Sequence, residues 1–218
     1  MSDQSTPLGG RSDYAQRELN AGDLHADPLT QFQRWVDAAI AAELPEPLAA
    51  ALATADAHGT PSVRMILVRG IAADGLRFYT NHESRKGQDL AVNPQAALSL
   101  WWPGIERQVR CSGPVRQLTE AESAAYFVSR PRESQLGARA SRQGQETPSR
   151  EALEAALAAE TAAHPGSAPI GLPEFWGGYL LTPTRWEFWQ GGEYRLHDRF
   201  EYLRTSPSGP WVTRRLQP

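Results

Sequence analysis

A succession of short apolar segments separated by turn signals fills the chain from Leu48 to Leu118. Asp74-Gly75 is the strongest of these signals, because this dipeptide favours the tight turn that joins two antiparallel strands. Pro103-Gly104 marks a second turn. Consecutive strands joined by tight turns run antiparallel. The pattern therefore predicts a mainly β protein, with the antiparallel sheet curled into a barrel and helices on its outside.

Runs of β-branched, aliphatic and aromatic residues between the turns give the predicted strands. Gly113-Pro114 is expected to interrupt the longest of them. The predicted strands are Ala51–Asp56, Ser62–Arg69, Leu76–Thr80, Ala96–Trp102, Glu106–Leu118, Gly177–Leu181, Trp186–Trp189, Tyr194–Tyr202 and Trp211–Leu216.

Helix-start signals occur at four places. Asp27 can cap a helix that has Pro28 in its first turn, and Thr119 with Glu122 matches a capping box. Ser84 precedes a short helix, and Thr147-Pro148 begins another, whereas residues 130–145 read as a loop or short helix. The first helix has an apolar stripe at helical spacing, formed by Phe32, Trp35, Val36, Ala39 and Ile40.

Composition limits the classes of protein to which the chain can belong. Its 218 residues suit one domain, and we expect residues 1–25 to be a flexible N-terminal segment and 26–218 to be a single domain. The net charge of -3 argues against nucleic-acid and membrane partners. No signal-peptide core or run of about 18 apolar residues occurs, and a lone cysteine suits a reducing compartment. We expect a cytoplasmic protein in which Cys111 is a buried filler.

The segment from Glu187 to Phe200, EFWQGGEYRLHDRF, has cationic side chains at every second position. If it is an extended strand, Arg195, His197 and Arg199 share one face. Clustered cations repel, so the arrangement favours a site for an anionic, ring-shaped ligand, because guanidiniums grip phosphates and stack on planar rings. The alternative is a solvated edge strand whose charges discourage aggregation.

Three further groups of cationic residues occur in this acidic chain. One begins the helix after Ser84, where free backbone N–H groups and the helix dipole favour an anion. Each group alone is as well explained by solvated surface charge. Together with the segment 187–200 they predict two anionic ligands, or one ligand with two anionic ends. The groups are Arg64 with Arg69; Ser84, Arg85 and Lys86; and Arg130, Arg132 and Ser134.

Arg64 and Arg69 are five residues apart, so a regular strand places them on opposite faces. They can share a ligand only if Arg69 lies past the strand end or if a bulge intervenes.

Several familiar motifs are missing from the sequence. No G-x-G-x-x-G follows a strand, and neither a G-x-x-x-x-G-K-[ST] loop nor an H-E-x-x-H pair occurs. The five histidines lack ligand spacing. Neither a Rossmann cofactor site nor a metal site is predicted.

Six segments resemble those of pyridoxine (pyridoxamine) 5'-phosphate oxidases, in that family's order and at its approximate spacing. They cover the chain from about residue 27 onwards, and RSDY resembles the family's mobile N-terminal segment. The resemblance implies an FMN-binding split β-barrel, antiparallel and Greek-key-like, that works as a homodimer with FMN at the subunit interface. The segments are RMILVRG, FYTNHESRKGQDL, ERQV, YFVSRPRESQLGARASRQ, PEFWGGY and EFWQGGEYRLHDRF.

The activity that this resemblance implies is the oxidation of pyridoxine 5'-phosphate or pyridoxamine 5'-phosphate to pyridoxal 5'-phosphate. Dioxygen reoxidises the flavin and gives hydrogen peroxide, and the amine substrate also releases ammonia. Hydride is expected to pass from the exocyclic C4' carbon to flavin N5, with the protein supplying alignment and electrostatics.

The resemblance also implies roles for individual residues. Arg195 and His197 are the implied catalytic residues; Arg195 holds the ring over the flavin, and His197 orients it. Some cofactor residues are expected to come from the partner subunit. The implied cofactor-binding residues are Arg64, Met65, Ile66, Leu67, Val68, Arg69, Tyr79, Thr80, Arg85, Lys86, Gln108, Gln143, Gly144, Trp189 and Arg199. The implied substrate-binding residues are Arg11, Tyr14, Arg69, Tyr126, Arg130, Ser134, Arg195 and His197.

Two residues depart from the family's pattern. Arg69 stands where the family usually has lysine, and a forked guanidinium can rearrange that contact. Gly144 stands where a serine often follows the glutamine, so a hydroxyl contact is lost. Both departures bear on affinity more than on reaction type.

Two other functions remain open at this point. One is a split-barrel flavoprotein that acts on another substrate, such as a flavin reductase, which would not need SRPR and RLHDR together. The other is a carrier or sensor that binds FMN or pyridoxal phosphate without turnover.

Overall fold

The computed structural model describes Tyr14, residues 18–206 and residues 209–218. Within them the chain forms five α-helices and ten β-strands. The helices are α1 (Pro28–Ala41), α2 (Arg85–Val92), α3 (Glu120–Ser129), α4 (Arg132–Ala140) and α5 (Arg150–Ala163). The strands are β1 (Ala49–Ala55), β2 (Pro61–Leu67), β3 (Gly70–Ala72), β4 (Gly75–Asn81), β5 (Gln95–Trp102), β6 (Arg107–Gln117), β7 (Trp176–Leu181), β8 (Arg185–Gln190), β9 (Asp198–Leu203) and β10 (Val212–Leu216).

Antiparallel pairing connects all the strands of the described chain. The main order is β10-β9-β8-β6-β5-β1-β2, and β7 joins β6 to the β4–β3 pair. The sheet curls into a half-barrel with the helices around it, which confirms the predicted mainly β fold. The turn at Asp74-Gly75 joins β3 to β4 as a hairpin; β3 itself was not predicted.

The predicted interruption at Gly113-Pro114 is wrong, because β6 continues through it. The dipeptide instead marks the point where one edge of β6 changes partner, from β8 at residues 107–112 to β7 at 115–117. A Cβ atom at Gly113 would lie 2.3 Å from the carbonyl oxygen of Thr182, so this crossing requires glycine. The strand therefore bridges the two parts of the half-barrel.

Helix α1 closes one side of the core, as its apolar stripe predicts. Asp27 caps it, since its carboxylate accepts a hydrogen bond from the Thr30 N–H at 2.9 Å. Phe32 and Trp35 pack on aromatic rings of β8, each at 5.2 Å between ring centroids. Ile40 was wrongly placed in the stripe, because its side chain is 54% exposed. Cys111 is buried as predicted, and burial raises the pKa of its thiol.

The predicted strand Tyr194–Tyr202 begins too early, because β9 starts only at Asp198. Tyr194 and Arg195 lie in a 3₁₀ turn with φ values of 54° and 67°. The glycine pair before the turn lets the chain fold back: a Cβ at Gly192 would lie 2.4 Å from the carbonyl oxygen of Leu196. The alternation of Arg195, His197 and Arg199 on one strand face was therefore wrong.

The described end of the expected N-terminal segment packs on the sheet. Leu19 is buried in the core, and its N–H donates to Asp198 at 2.9 Å. The hydroxyl of Tyr202 donates to the carbonyl oxygen of His25 at 2.8 Å. The flexibility of residues 1–25 and the boundary at residue 26 stay predictions. Across the described ranges, no helix has both the length and the apolar character needed to cross a bilayer.

Candidate active site

A cavity of about 1250 Å³ brings the three predicted cationic groups together. Its walls come from β2, β4, β7, α2, α3 and α4 and from the segments that follow β2 and α4. Arg132 of the third group is not in the lining; it donates to the carbonyl oxygens of His164 and Ala168. The predicted site residues that line the cavity are Arg64, Met65, Ile66, Leu67, Arg69, Tyr79, Thr80, Arg85, Lys86, Tyr126, Arg130, Ser134, Gln143 and Gly144.

Lys86 and the side chains that it contacts line one part of this cavity, which we call its first end, and Lys86 itself is almost fully buried. Its ammonium donates to the hydroxyls of Thr80 at 3.0 Å and Ser84 at 3.1 Å, and to the amide oxygen of Gln143 at 2.8 Å. All three partners are neutral. Burial, with a smaller contribution from the charge of Arg64, lowers the pKa of Lys86 to about 8. A bound anion would offset this cost of burying the charge and raise the pKa of Lys86 again.

Helix α2 reaches this end of the cavity through a close contact with the turn before it. A Cβ atom at Gly87 would lie 2.1 Å from the carbonyl oxygen of His82, so only glycine allows the approach. Ser84 is the N-cap residue, and its hydroxyl donates to the carbonyl oxygen of Asn81 at 2.7 Å. The first backbone N–H groups of α2 therefore begin beside the Lys86 ammonium, where an anion is favoured.

Arg64 and Arg85 flank Lys86 and are held by carboxylates. Arg85 donates to Asp89 at 2.9 Å and to Asp56 at 3.2 Å. Arg64 donates to the Thr54 hydroxyl at 2.7 Å and lies 4.0 Å from Asp89. Burial lowers the pKa of Arg64, and the nearby charge of Arg85 adds to that, while Asp89 opposes it. These contacts fix both guanidiniums at the cavity wall.

A separate set of contacting residues in the cavity lining, which we call its second end, is built on stacked aromatic rings. Tyr79 and Tyr126 stack at 3.7 Å between centroids, and Trp176 continues the stack 5.7 Å from Tyr79. The guanidinium carbon of Arg130 lies 4.8 Å from the centre of the Trp176 ring. One buried nitrogen of Arg130, Nη1, has no hydrogen-bond partner in the described part of the chain. Burial lowers the pKa of Arg130, and the charge of Arg69 lowers it further.

Arg69 meets one of the two conditions under which it could share a ligand with Arg64. Strand β2 ends at Leu67, so Arg69 lies past the strand end, and both Arg64 and Arg69 line the cavity. Val68, a predicted cofactor-binding residue, is fully buried in the core, and its N–H donates to the carbonyl oxygen of Leu48. The chain thus turns between the two arginines.

Three further predicted residues, Gln108, Trp189 and Arg199, lie outside this cavity in a row across neighbouring strands, together with Trp101, which was not predicted. Trp101 of β5 is paired with Gln108 of β6, Gln108 with Trp189 of β8, and Trp189 with Arg199 of β9. Residues at paired positions share one face of the sheet, so these four side chains form a continuous row. We call them the aromatic row.

His197 and Tyr14 pack against the aromatic row. The His197 ring lies 4.5 Å from that of Trp189, and Tyr14 contacts both edge-on at 5.7 and 5.6 Å. Nδ1 of His197 accepts a hydrogen bond from the Gly192 N–H at 3.1 Å. Burial, followed by the charges of Arg195 and Arg199, lowers the pKa of His197. This histidine is therefore held as a neutral ring; Arg11, also predicted here, lies outside the described residues.

Seven lining residues were not predicted as site residues: Asn81, Ser129, Pro131, Gly137, Ala138, Ser141 and Trp176. Trp176 lies in PEFWGGY, a segment quoted for the resemblance, and a tryptophan between a proline turn and two glycines was the available signal. Asn81 also lines the cavity, and its side-chain oxygen accepts from the Glu83 N–H at 2.7 Å. An asparagine that caps the turn after a strand usually has a structural role, so Asn81 carried no functional signal in the sequence.

Comparisons with known proteins agree with this geometry. The family description "Pyridoxamine 5'-phosphate oxidase" matches residues 36–162, and "Pyridoxine 5'-phosphate oxidase C-terminal dimerisation region" matches residues 176–218. A pyridoxine/pyridoxamine 5'-phosphate oxidase of Deinococcus deserti is 50% identical over 219 residues, covering 100% of both chains. One from Ralstonia pickettii is 50% identical, covering 95% of this chain and 97% of the relative.

Two solved structures resemble the fold. PhzG from Burkholderia lata, in complex with tetrahydrophenazine-1-carboxylic acid, has a TM-score of 0.83 and 34% identity, covering 90% of this chain and 95% of that one. A pyridoxamine 5'-phosphate oxidase-related, FMN binding protein from Nostoc punctiforme has a TM-score of 0.71 at 18% identity, covering 89% and 100%. With both family regions matched and half of all residues identical over full length, the chain belongs to the pyridoxine/pyridoxamine 5'-phosphate oxidase family, a family of FMN-dependent oxidases.

Proposed function

We propose that the protein oxidises pyridoxine 5'-phosphate and pyridoxamine 5'-phosphate to pyridoxal 5'-phosphate, with FMN as cofactor and dioxygen as electron acceptor. Hydrogen peroxide is the second product, and the amine also yields ammonia. The observation that carries the proposal is a single cavity with a cationic group at each of two ends and stacked rings at one of them. A cofactor phosphate and a substrate phosphate need two such ends.

The residues at the first end fit the phosphate of FMN. Lys86 is buried among neutral hydrogen-bond partners, so its ammonium has lost its hydration without gaining a counter-charge. A bound phosphate would provide that counter-charge. Arg64, Arg85 and the start of α2 add charge and N–H donors. Thr80 and Gln143 already join the Lys86 network and would orient the same ligand. When bound, FMN supplies the two-electron redox chemistry.

The second end suits the phosphate of the substrate. Arg130 has a buried nitrogen without a hydrogen-bond partner in the part of the chain described, and Ser134 lies on the first turns of α4 beside it in the cavity lining. A phosphate there would accept from Arg130 and Ser134, and Tyr126 would add its hydroxyl. Arg69, whose charge acts on Arg130, would lie between the two phosphates and contact both ligands.

We further propose that a second copy of the chain completes each site. Arg195, His197 and the aromatic row lie outside the cavity of their own chain, although the family resemblance assigns them to the same two ligands. The match of residues 176–218 to a dimerisation region supports this arrangement. The side chain of Tyr194, next to Arg195, is 87% exposed, so the turn is open to a partner. A homodimer would place FMN between the cavity of one subunit and the aromatic row of the other.

The side chains of this chain would mainly align the substrate and shield it from water. Arg195 would stack on the pyridine ring and hold its exocyclic carbon in reach of the flavin. His197 would orient the ring through a hydrogen bond rather than act as a strong base, because its Nδ1 is already occupied and its pKa is lowered. Tyr14 and Arg11 would close over the substrate.

Flavin identification and turnover test this function together. One sample of the purified protein is denatured, and the released flavin is identified. A second, native sample is incubated with each phosphorylated vitamer, and the pyridoxal 5'-phosphate and peroxide that form are measured. We expect stoichiometric FMN and turnover that needs the phosphate, so unphosphorylated pyridoxine is the matched control. Bound FMN without turnover of either phosphorylated vitamer would mean a carrier or a flavoprotein with another substrate.

A second candidate is suggested by the likeness to PhzG, whose structure holds a reduced phenazine carboxylic acid. A carboxylate could occupy the Arg130 end in place of a phosphate. A reduced aromatic carboxylic acid is therefore included in the same assay, and oxidation of it faster than of the vitamers would favour this reading.

A further inference from the structure

A row of charged residues runs directly beside the aromatic row. Three of its four members lie two positions along their strands from a member of the aromatic row, and the fourth is paired with one of these three, so both rows share one sheet face. Arg110 of β6 is paired with Glu187 of β8, Glu187 with Glu201 of β9, and Glu201 with Arg214 of β10. We call these four residues the charge row.

Two carboxylates face each other in the middle of the charge row, and both are buried. Glu187 is 3% exposed and Glu201 is 0% exposed. Like charges directly opposite one another destabilise a sheet, and a buried carboxylate needs cationic partners. Each glutamate has two arginines: Glu187 has Arg110 and Arg199, and Glu201 has Arg185 and Arg214. The two glutamates are therefore alike in burial and in number of partners.

The two glutamates differ in what their second arginine does. Glu187 accepts two hydrogen bonds from Arg199, at 3.0 Å from Nε and 3.1 Å from Nη2. The remaining Nη1 of Arg199 donates to the carbonyl oxygen of Gln217 at 2.9 Å. These three bonds fix the plane and the position of the guanidinium. Arg199 belongs to the aromatic row, whereas the partners of Glu201, Arg185 and Arg214, do not.

We propose that Glu187 is a positioning residue for the flavin: it fixes Arg199 beside Trp189 and Gln108, so that the aromatic row presents a rigid surface to FMN. The inference rests on the proposed function, which assigns Trp189 and Arg199 to the cofactor. Glu187 itself touches neither FMN nor substrate. Its role is to align a forked guanidinium that has several rotatable bonds and would otherwise lose side-chain entropy on binding.

The carboxylate suits this role better than a neutral acceptor would. Burial acts to raise the pKa of Glu187, but the hydrogen bonds and charges of Arg199 and Arg110 outweigh it, and the net pKa is lowered. The side chain thus stays ionised at neutral pH and can accept from both arginines at once. A glutamine at this position has one acceptor oxygen, and its amide group would face the guanidiniums with donors.

The test compares Glu187→Gln with Glu201→Gln, which removes a similarly buried charge that also has two arginines as ion-pair partners, without touching Arg199. FMN dissociation constants are measured by flavin fluorescence on apoprotein, with the visible spectrum of the bound flavin and the thermal midpoint of the apoprotein. We expect both variants to lose thermal stability. E187Q alone should bind FMN about tenfold more weakly, with a shifted flavin spectrum, because it removes the charge-assisted hydrogen bonds that hold Arg199 in place.

A double-mutant cycle with Arg199→Lys separates positioning from general damage. If Glu187 acts through the fork of Arg199, then E187Q adds no further loss of FMN affinity in an R199K background. Additive losses, or equal losses in E187Q and E201Q, would overturn the inference. Should E187Q not fold, Glu187→Asp takes its place, and wild-type FMN affinity and spectrum in that variant would overturn it as well. Failure of the wild-type protein to bind FMN would instead reject the proposed function.

Discussion

The buried cations of the cavity and the arginines beside the two buried glutamates differ in the groups that contact them. Lys86 is surrounded by two hydroxyls and an amide oxygen, and Arg130 lies over an aromatic ring. Arg199 and Arg214, by contrast, are bound to the buried carboxylates of Glu187 and Glu201. Each region carries residues implied for ligand binding, yet Lys86 and Arg130 have no carboxylate partner in the described part of the chain, whereas Arg199 has one.

This difference separates two uses of an arginine or lysine near a ligand. A cation with neutral neighbours pays a desolvation penalty that only an incoming anion relieves, so it contributes to affinity. A cation bound to a carboxylate has its charge and its geometry already satisfied, so it contributes shape. The lowered pKa values of Lys86 and Arg130 are the physical sign of the first use.

Arg195→Leu tests the turn beside the aromatic row and should have the largest effect. We expect the turnover number to fall at least about 100-fold, because the substrate ring loses its alignment, while FMN stays bound. Steady-state kinetics and flavin content are measured on the same preparation. Arg116→Leu, an exposed arginine in neither region, is the control and should behave as wild type. Loss of flavin from R195L would mean that the residue serves the cofactor.

Arg130→Leu tests the substrate end of the cavity. Removing a charged donor to a phosphate costs about 2 kcal/mol, so kcat/KM for pyridoxine 5'-phosphate should fall about 30-fold. The loss should fall mainly on KM, with unchanged flavin content. Unphosphorylated pyridoxine serves as the internal control, since its poor turnover should not change. An equal loss for both substrates would place Arg130 outside the phosphate site.

Lys86→Met tests the cofactor end and predicts a pH dependence. FMN affinity should fall about tenfold at pH 7 with the loss of one charged donor. In the wild-type apoprotein the pKa of Lys86 is about 8, so the ammonium is lost above that pH and must be restored when the phosphate binds. FMN affinity should therefore decline as pH rises above about 8. Fluorescence titrations should show this added decline in wild type and not in K86M.

Arg85→Gln tests a cation of the cavity that is bound to carboxylates, and it should have the smallest effect. Arg85 lies one residue from Lys86, but its side chain is 56% exposed and is bound to Asp56 and Asp89. We expect FMN affinity to change at most about threefold, because exposed and carboxylate-bound charges contribute little. A loss as large as that of K86M would show that carboxylate partners do not reduce the value of a cation at this site.

The elements with local signals were predictable from sequence. Asp27, Thr119 and the Asp74-Gly75 turn act through contacts within a few residues, and the structure confirms all three. The continuity of β6 through Gly113 was not predictable, because it depends on the approach of Thr182 from β7's end. Likewise, the turn at Arg195 follows from a glycine pair whose effect on φ two residues later has no local rule.

The candidate site also has some features that were predictable from sequence and others that were not. Residue types and the resemblance predicted the ligand-binding side chains; fourteen of them line one cavity, and their binding roles stay predictions. The contact between Arg199 and Glu187 could not be predicted in this way. The two residues are diagonal neighbours on β9 and β8, and diagonal neighbours can be identified only when the register of the two strands is known. Charge alternation along one strand was therefore a poor guide to which cations face a ligand.

Strand β6 makes the two matched family regions inseparable as folding units. The first region ends before β7, yet β6 lies in it and provides hydrogen-bond partners for β7 and β8 of the second. A fragment of residues 176–218 would carry both strands with those edges unpaired, and such edges invite aggregation. A version of this protein that is split in the connection around α5 should therefore fold only if both pieces are present to reassociate.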